Sequence, residues 1–231
     1  MKHRIYAIPG TMCDERLWEK LGSIGSEDFE VIHTPIPAEE SIEAISNAII
    51  EDLPLDKFIL LGFSFGGYIS SCIATKIPNR IKHLFIISNS SCALKSQELR
   101  ERKRNIELIK KYGYRGLGIA KASSMLDAES INDELVRTII EMDSSMGVDT
   151  LIHQLGVGSG RTDLAVALSN SNVNMTFVFS DGDKLINKDW ILSLSESNAK
   201  CDAISISGSG HMLPLEKPYE IVEILRCHER L

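Results

Sequence analysis

A chain of 231 residues, 43% of them hydrophobic, buries a full core and fits one domain better than two. Thirty-two acidic against twenty-five basic residues leave a formal charge of −7. That balance excludes the broad positive surface required by nucleic-acid binding. No apolar run approaches the ~20 residues that span a bilayer, so no membrane partner is expected. Met1-Lys2-His3-Arg4 leads into Ile5-Tyr6-Ala7-Ile8, which is too short for a signal-peptide core and lacks a small-residue cleavage site. The expectation is a cytosolic protein. Its five cysteines, Cys13, Cys72, Cys92, Cys201 and Cys227, are odd in number and dispersed, which suits reduced thiols rather than a disulfide framework or zinc site.

In chain order, short apolar segments rich in β-branched residues alternate with helical ones, the pattern of a parallel sheet covered on both faces. Strands are predicted over residues 4–8, 29–33, 57–61, 82–88, 174–180 and 202–206. Helices are predicted over 41–52, 65–76, 188–197 and 217–227. Ser41-Ile42-Glu43-Ala44 reads as a helix entry with an acid in the first turn, and Pro218 suits the first turn of the last helix. The alternation stops between residues 90 and 172, where helical patterns dominate. We read this stretch as a helical lid inserted into a core formed by residues 1–89 and 173–231, roofing the carboxyl ends of the strands, where open α/β sheets place their sites. Within it, residues 96–112 form an amphipathic helix stopped by Gly113, and further helices are expected over 116–125, 131–146 and 148–155.

The most informative segment is Gly62-Phe63-Ser64-Phe65-Gly66-Gly67, which follows the apolar run Phe58-Ile59-Leu60-Leu61 and opens a helix. Glycines two before and two after a serine let the backbone pass close to its neighbours while the serine is held in a strained turn with its hydroxyl outward, a nucleophile elbow. The Phe65 amide then lies at a helix start, able to meet a developing oxyanion. Pro9-Gly10-Thr11-Met12, after the first strand, offers a second donor in the Thr11 amide. Cys13 follows that turn and reads most simply as a small side chain within it.

A serine hydroxyl needs a base, and the base a carboxylate that orients it. Both follow. The fifth strand empties into Asp181-Gly182-Asp183, and the sixth runs into Ser207-Gly208-Ser209-Gly210-His211-Met212. Either Asp181 or Asp183 can serve as the acid on this reading. The order serine, aspartate, histidine, each just past a strand's carboxyl end, is far more specific than any single motif. Other readings of these segments fail. Asp181-Gly182-Asp183 lacks the third ligand and the glycine of an EF-hand loop. Gly156-Val157-Gly158-Ser159-Gly160 resembles a phosphate loop in composition only, since it follows a helix and lacks the Lys-Ser/Thr ending.

On these motifs, and on Gly210-His211-Met212-Leu213-Pro214-Leu215-Glu216-Lys217-Pro218, the chain resembles the α/β-hydrolase superfamily, in particular the small lidded carboxylesterases of the pimeloyl-acyl-carrier-protein methyl ester esterase type that act in biotin synthesis. The resemblance covers nearly the whole chain. It implies an α/β-hydrolase fold with a mostly parallel six-stranded sheet, flanking helices and a helical lid. It implies ester hydrolysis through an acyl-enzyme, with Ser64 as nucleophile, His211 as acid and base, and no cofactor or metal. Such proteins carry Gly-x-x-Asp after the strand, and aligning Ser180 with that glycine makes Asp183 the acid. Three departures stand out: serine for that glycine, Pro9-Gly10 for the usual His-Gly, and a start at the family's third strand.

Residues 95–115 carry eight basic residues against three acids, a net of +5 that leaves −12 for the remainder. Arg100, Arg102, Lys103, Arg104, Lys110 and Lys111 are the expected contacts for an acidic partner, an acyl carrier protein presenting a tethered ester; a solvated helix face is the simpler account, and a small free ester the alternative substrate. Some proteins of this fold keep the triad yet act as ligand receptors without turnover.

Overall fold

The computed structural model describes residues 2–229. Its six strands are β1 (His3–Ile8), β2 (Phe29–His33), β3 (Phe58–Phe63), β4 (Ile81–Ile87), β5 (Met175–Ser180) and β6 (Cys201–Ile206). They form one sheet in the order β2-β1-β3-β4-β5-β6. Every neighbouring pair is parallel, so Ile5 is flanked by Val31 on one side and Ile59 on the other. Parallel neighbours cannot be joined by tight hairpins, and each link is therefore a crossover long enough to hold helix. The chain reverses direction of winding at β1 and β3, which places a crevice beyond their carboxyl ends.

β3 and β5 are buried at every position, as their uninterrupted apolar runs require. Successive side chains of a strand face opposite ways, so β3 divides its residues between two cores. Ile59, Leu61 and Phe63 pack with Leu17, Trp18, Leu21, Val222 and Leu225 on one face. Phe58 and Leu60 pack with Ile45, Ile49, Ile69, Ile73, Ile191 and Leu194 on the other. Full burial of each such side chain is worth about 1.5–3 kcal/mol, so the central strands are the most firmly held part of the molecule.

The helices that cover these faces are α1 (Glu19–Ile24), α2 (Ile42–Asp52), α3 (Phe65–Lys76), α8 (Lys188–Ser197), α9 (Leu213–Glu216) and α10 (Pro218–Glu229). The Ser41 hydroxyl accepts the Ala44 amide at 3.1 Å, and Asn187 accepts that of Trp190 at 3.3 Å, so two of these helices begin at side-chain caps. Between β4 and β5 lie α4 (Ser96–Tyr112), α5 (Ile119–Ser123), α6 (Asp133–Gly158) and α7 (Ala165–Ser169). α4 ends at Gly113, whose φ of +81° breaks the helical path. α6 is interrupted at Gly147 (φ +79°), between the two helices expected at 131–146 and 148–155. The helix expected over 116–125 contracts to α5, because Gly116 is left-handed (φ +83°) and Gly118 extended.

Helices α1, α7 and α9, and a 3₁₀ turn at Glu15–Trp18, were not expected from the sequence. Each is six residues or fewer, too short for a hydrophobic period to emerge. Among the described residues no helix is long and apolar enough to cross a membrane.

Candidate active site

Ser64 ends β3 and begins α3 with φ +48° and ψ −117°, a conformation that L residues rarely adopt. The turn closes this tightly because its glycines leave room. A Cβ on Gly62 would collide with the Ser70 hydroxyl and the Gly66 carbonyl, and one on Gly66 with the Ile8 and Pro9 carbonyls. The Ser64 amide donates to Ile87 on β4 at 2.9 Å and its carbonyl accepts from Tyr68 at 3.2 Å, which fixes the strained residue from both sides.

His211 Nε2 stands 3.0 Å from Ser64 Oγ, and its Nδ1 lies 2.7 Å from Asp183 Oδ2. The second Asp183 oxygen accepts the Leu185 amide at 2.8 Å, so both carboxylate oxygens are occupied and the side chain is buried. Asp181 is elsewhere: it is exposed, and its carboxylate accepts from Ser205 Oγ on the outer strand β6. Of the two candidates the fold therefore brings Asp183, and not Asp181, to the histidine. Ser180 donates its hydroxyl to the Gly210 carbonyl at 2.6 Å and ties the end of β5 to the histidine loop. That loop is also held from the segment between β4 and β5. The His211 amide donates to Met125 at 2.8 Å, and Asp127 accepts from both the amide and the hydroxyl of Ser209. Glu216 accepts the Asp127 amide at 2.6 Å from a half-buried position whose desolvation raises its carboxyl above the ordinary range.

Thr11 lines the cavity together with Ser64, and neither its amide nor that of Phe65, the first residue of α3, is engaged by another group among the described residues. The turn that carries Thr11 closes through a Cys13 amide to Gly10 carbonyl bond at 3.2 Å, with Met12 at φ +56°. The Met12 amide donates to Gln154 Oε1 at 2.9 Å, in a buried bond reaching from α6. Two residues on, Asp14 accepts from Arg16 at 2.6 Å and from Ser145 of α6 at 2.9 Å. This turn lacks the bracing histidine of the usual His-Gly, and α6 supports it instead. Cys13 is buried, and desolvation followed by the charge of Asp14 pushes its thiol up to about 12. It stays protonated and unreactive at neutral pH, in keeping with a packing role.

Over this constellation lies a cavity of about 530 Å³, floored by Ser64, His211, Thr11 and Phe63 and walled by Leu108, Ile109, Leu117, Met125, Ile139, Met142, Leu151 and Leu155. Apart from Met125, the wall residues come from α4, α6 and the chain just before α5. The space suits an apolar chain of several carbons. Arg102, Asn105 and Lys121 also reach the wall, and a polar cluster interrupts it: Tyr114 donates its hydroxyl to buried Asp143 at 2.6 Å, and the Leu117 amide donates to the other oxygen at 2.9 Å. Among the six basic residues expected on α4, Arg100, Lys103, Arg104, Lys110 and Lys111 are exposed. Arg102 instead turns inward, pairs with Glu98 at 2.9 Å and lines the cavity.

Sequence reasoning did not find Gln154, Asp14 or Asp143. Their roles arise from contacts across more than a hundred residues (Gln154 and Asp14) or across a helical turn-back (Asp143), and no local motif marks them. The glycine-rich stretch at 156–160 forms the end of α6 and the turn after it, and it opens no strand or helix.

A family model described as alpha/beta hydrolase fold matches residues 21–117. No curated protein matches the chain by sequence. Among solved structures, a thermophilic esterase from Thermogutta terrifontis superimposes with a TM-score of 0.86 at 19% identity, over 100% of this chain and 90% of that one. A structure from a study of carboxylesterases of the thaumarchaeon Nitrososphaera gargenis gives 0.79 at 17%, over 97% and 89%. The enol-lactonase of Burkholderia xenovorans LB400 gives 0.80 at 13%, over 100% and 92%. The parallel sheet, its strand order and these superpositions agree: the chain has the α/β-hydrolase fold, and esterases are among the structures that share it.

Proposed function

We propose that the protein is a serine carboxylic ester hydrolase. The observation that carries this reading is the continuous hydrogen-bonded chain from Ser64 through His211 to Asp183, beginning on a strained elbow and opening into an apolar cavity. With the ester carbonyl carbon against Ser64 Oγ, His211 Nε2 takes the hydroxyl proton as the oxygen attacks, and Asp183 supports the imidazolium that results. The carbonyl oxygen, now an oxyanion, accepts from the Thr11 and Phe65 amides, which are held in advance by the Gly10–Cys13 turn and the start of α3. Collapse of the tetrahedral adduct expels the alcohol, which takes the proton from His211. Water, deprotonated by the same nitrogen, then attacks the acyl-enzyme, and the carboxylic acid leaves with Ser64 restored. Apart from the ester and water, the steps use groups of this chain.

The apolar walls favour an acyl group of several carbons under a lid formed by the segment between β4 and β5. The exposed cations of α4 support the more particular reading that the ester arrives on an acidic carrier protein, as methyl esters of the pimeloyl-carrier type do. Purified protein assayed against methyl and aryl esters of short to medium acids tests the reaction itself. A burst of alcohol with stoichiometric labelling of Ser64 is expected. Binding without turnover across the panel would instead make the protein a ligand receptor.

A further inference from the structure

Beside the apolar cavity lies a second one of about 350 Å³, and Ser64 and His211 border both. Its walls are more polar, with a few apolar residues among them: residues 88–90 and 92–95 after β4, the first turns of α4, Arg161, and Lys184 to Asn187. Four cations, Lys95, Arg102, Arg161 and Lys184, face two acids, Glu98 and Glu101.

Arg161 is the unusual member. Its guanidinium carbon lies 5.3 Å from the centre of the Phe65 ring and 5.1 Å from that of Tyr68, so it stacks against the residue directly after the nucleophile. Its backbone is clamped from the same side, since the Tyr68 hydroxyl donates to the Thr162 carbonyl at 2.9 Å and accepts the Thr162 amide at 2.8 Å. Despite this firm seat the Arg161 Nε–H is buried with no acceptor among the described residues, and Glu98, whose charge it senses, is already paired with Arg102. Desolvation first, and the charge of Arg102 second, lower Arg161 to about 10, which leaves it cationic at neutral pH. A second orphan shares the cavity: the buried Ser88 hydroxyl has no partner either, and Ser88 is held at φ +51° at the end of β4. Arg161 is half-buried, lines the cavity and has no carboxylate partner of its own among the described residues, so an anion in the cavity supplies the countercharge and acceptors that this wall lacks.

We propose that this cavity is an anion subsite of the active centre, in which Arg161 receives a carboxylate or phosphate carried by the substrate while an ester carbon of the same molecule reaches Ser64. The inference rests on the ester-hydrolase reading and narrows its substrate class to esters bearing a second, anionic end. A carboxylate matches the planar guanidinium fork, which makes half-esters of dicarboxylic acids the first compounds to test.

Monomethyl esters of the dicarboxylic acids from succinic to suberic, their dimethyl esters, and a methyl ester ending in a phosphate monoester are compared at equal chain length. Wild-type kcat/KM is expected to favour at least one anionic ester over its neutral partner by ten-fold or more. In Arg161→Gln that ratio falls at least ten-fold through KM, and Arg161→Lys keeps part of it. A preference for the phosphate compound upholds the subsite and assigns it to phosphate. No anionic preference in the wild type overturns the proposal, whether or not the variants fold, and so does a preference that survives in Arg161→Gln. Calorimetry of glutarate against the Ser64→Ala protein separates the two claims. Glutarate binding lost in Ser64→Ala/Arg161→Gln, with no ester turned over by the wild type, keeps the subsite and removes the hydrolase reading. Turnover without anionic preference does the reverse.

Discussion

Gln154, on the far half of the kinked helix α6, accepts the Met12 amide at 2.9 Å and so holds the turn whose Thr11 lines the same cavity as Ser64. The helical segment between β4 and β5 is thereby joined to the site's hydrogen bonding as well as to its walls. Replacing Gln154 with Leu leaves a buried amide without an acceptor, at a cost of about 1–3 kcal/mol, and frees the turn to shift. The expected result is a fall in kcat of about ten- to a hundred-fold with KM changed much less, and weaker inhibition by a boronic acid that mimics the tetrahedral adduct. Steady-state kinetics and the inhibition constant check this. An unchanged boronate affinity would show that Gln154 has no part in holding the oxyanion site.

Ser64→Ala removes the hydroxyl and leaves the elbow's backbone bonds intact. The variant should fold as the wild type does by circular dichroism, lose labelling by an organophosphonate, and retain no more than about 10⁻⁴ of the wild-type kcat. Labelling at the wild-type rate would mean that another nucleophile is at work.

The two aspartates after β5 separate a catalytic effect from a local one. Asp183→Asn removes the charge that supports the imidazolium and reverses the proton on the hydrogen bond to Nδ1; a loss of about 10⁴ in kcat is expected, the size known for serine proteases. Asp181→Asn only weakens an exposed contact with Ser205, whose hydroxyl the amide oxygen still accepts, and should stay within about two-fold. Kinetics of both variants on one ester decide the matter.

If the ester is carrier-borne, attraction between carrier and α4 acts mainly on association and fades with salt. Charge reversal at exposed Lys103 and Arg104 should then lower kcat/KM for the carrier-bound ester about ten-fold at low salt and leave a free methyl ester alone. Arg102 is unsuited to this test, because it faces the cavity. Equal salt responses for carrier-bound and free esters would reduce the basic helix to a solvated face.

Acid should destabilise the fold through His83. Its ring is buried, stacks on Phe85 at 4.2 Å and meets Thr176 Oγ1 at 2.9 Å. Burial first, and the nearby charge of His228 second, lower it to about 4 from an ordinary value of about 6.5. The folded protein thus holds the neutral ring, and its contribution is complete above about pH 6.5 and lost as the pH falls towards 4, on the order of 3 kcal/mol in full. Thermal unfolding followed from pH 7.5 to 4.5 should show a steeper decline in the wild type than in His83→Gln. Parallel curves would remove His83 from the acid response.

Much of this was legible along the chain. The strands, the elbow at Ser64 and the glycine-rich loop bearing His211 are local patterns, set by side-chain alternation, by where only glycine fits, and by the requirement that parallel strands be joined through helices. The break at Gly147 was equally plain, since glycine there interrupts an otherwise continuous helical period. The sequence alone therefore determined the fold class and singled out Ser64 and His211, and left Asp181 and Asp183 open because past the end of a strand no ladder fixes where a side chain points. Only the tertiary structure decided between them, by closing Asp183 onto His211 and leaving Asp181 outside with Ser205. It alone revealed Gln154 behind the Met12 amide and Arg161 stacked beside the elbow. Those contacts join segments about 95 to 142 residues apart, and no periodicity or local propensity records which distant side chains a folded sheet brings to the ends of its strands.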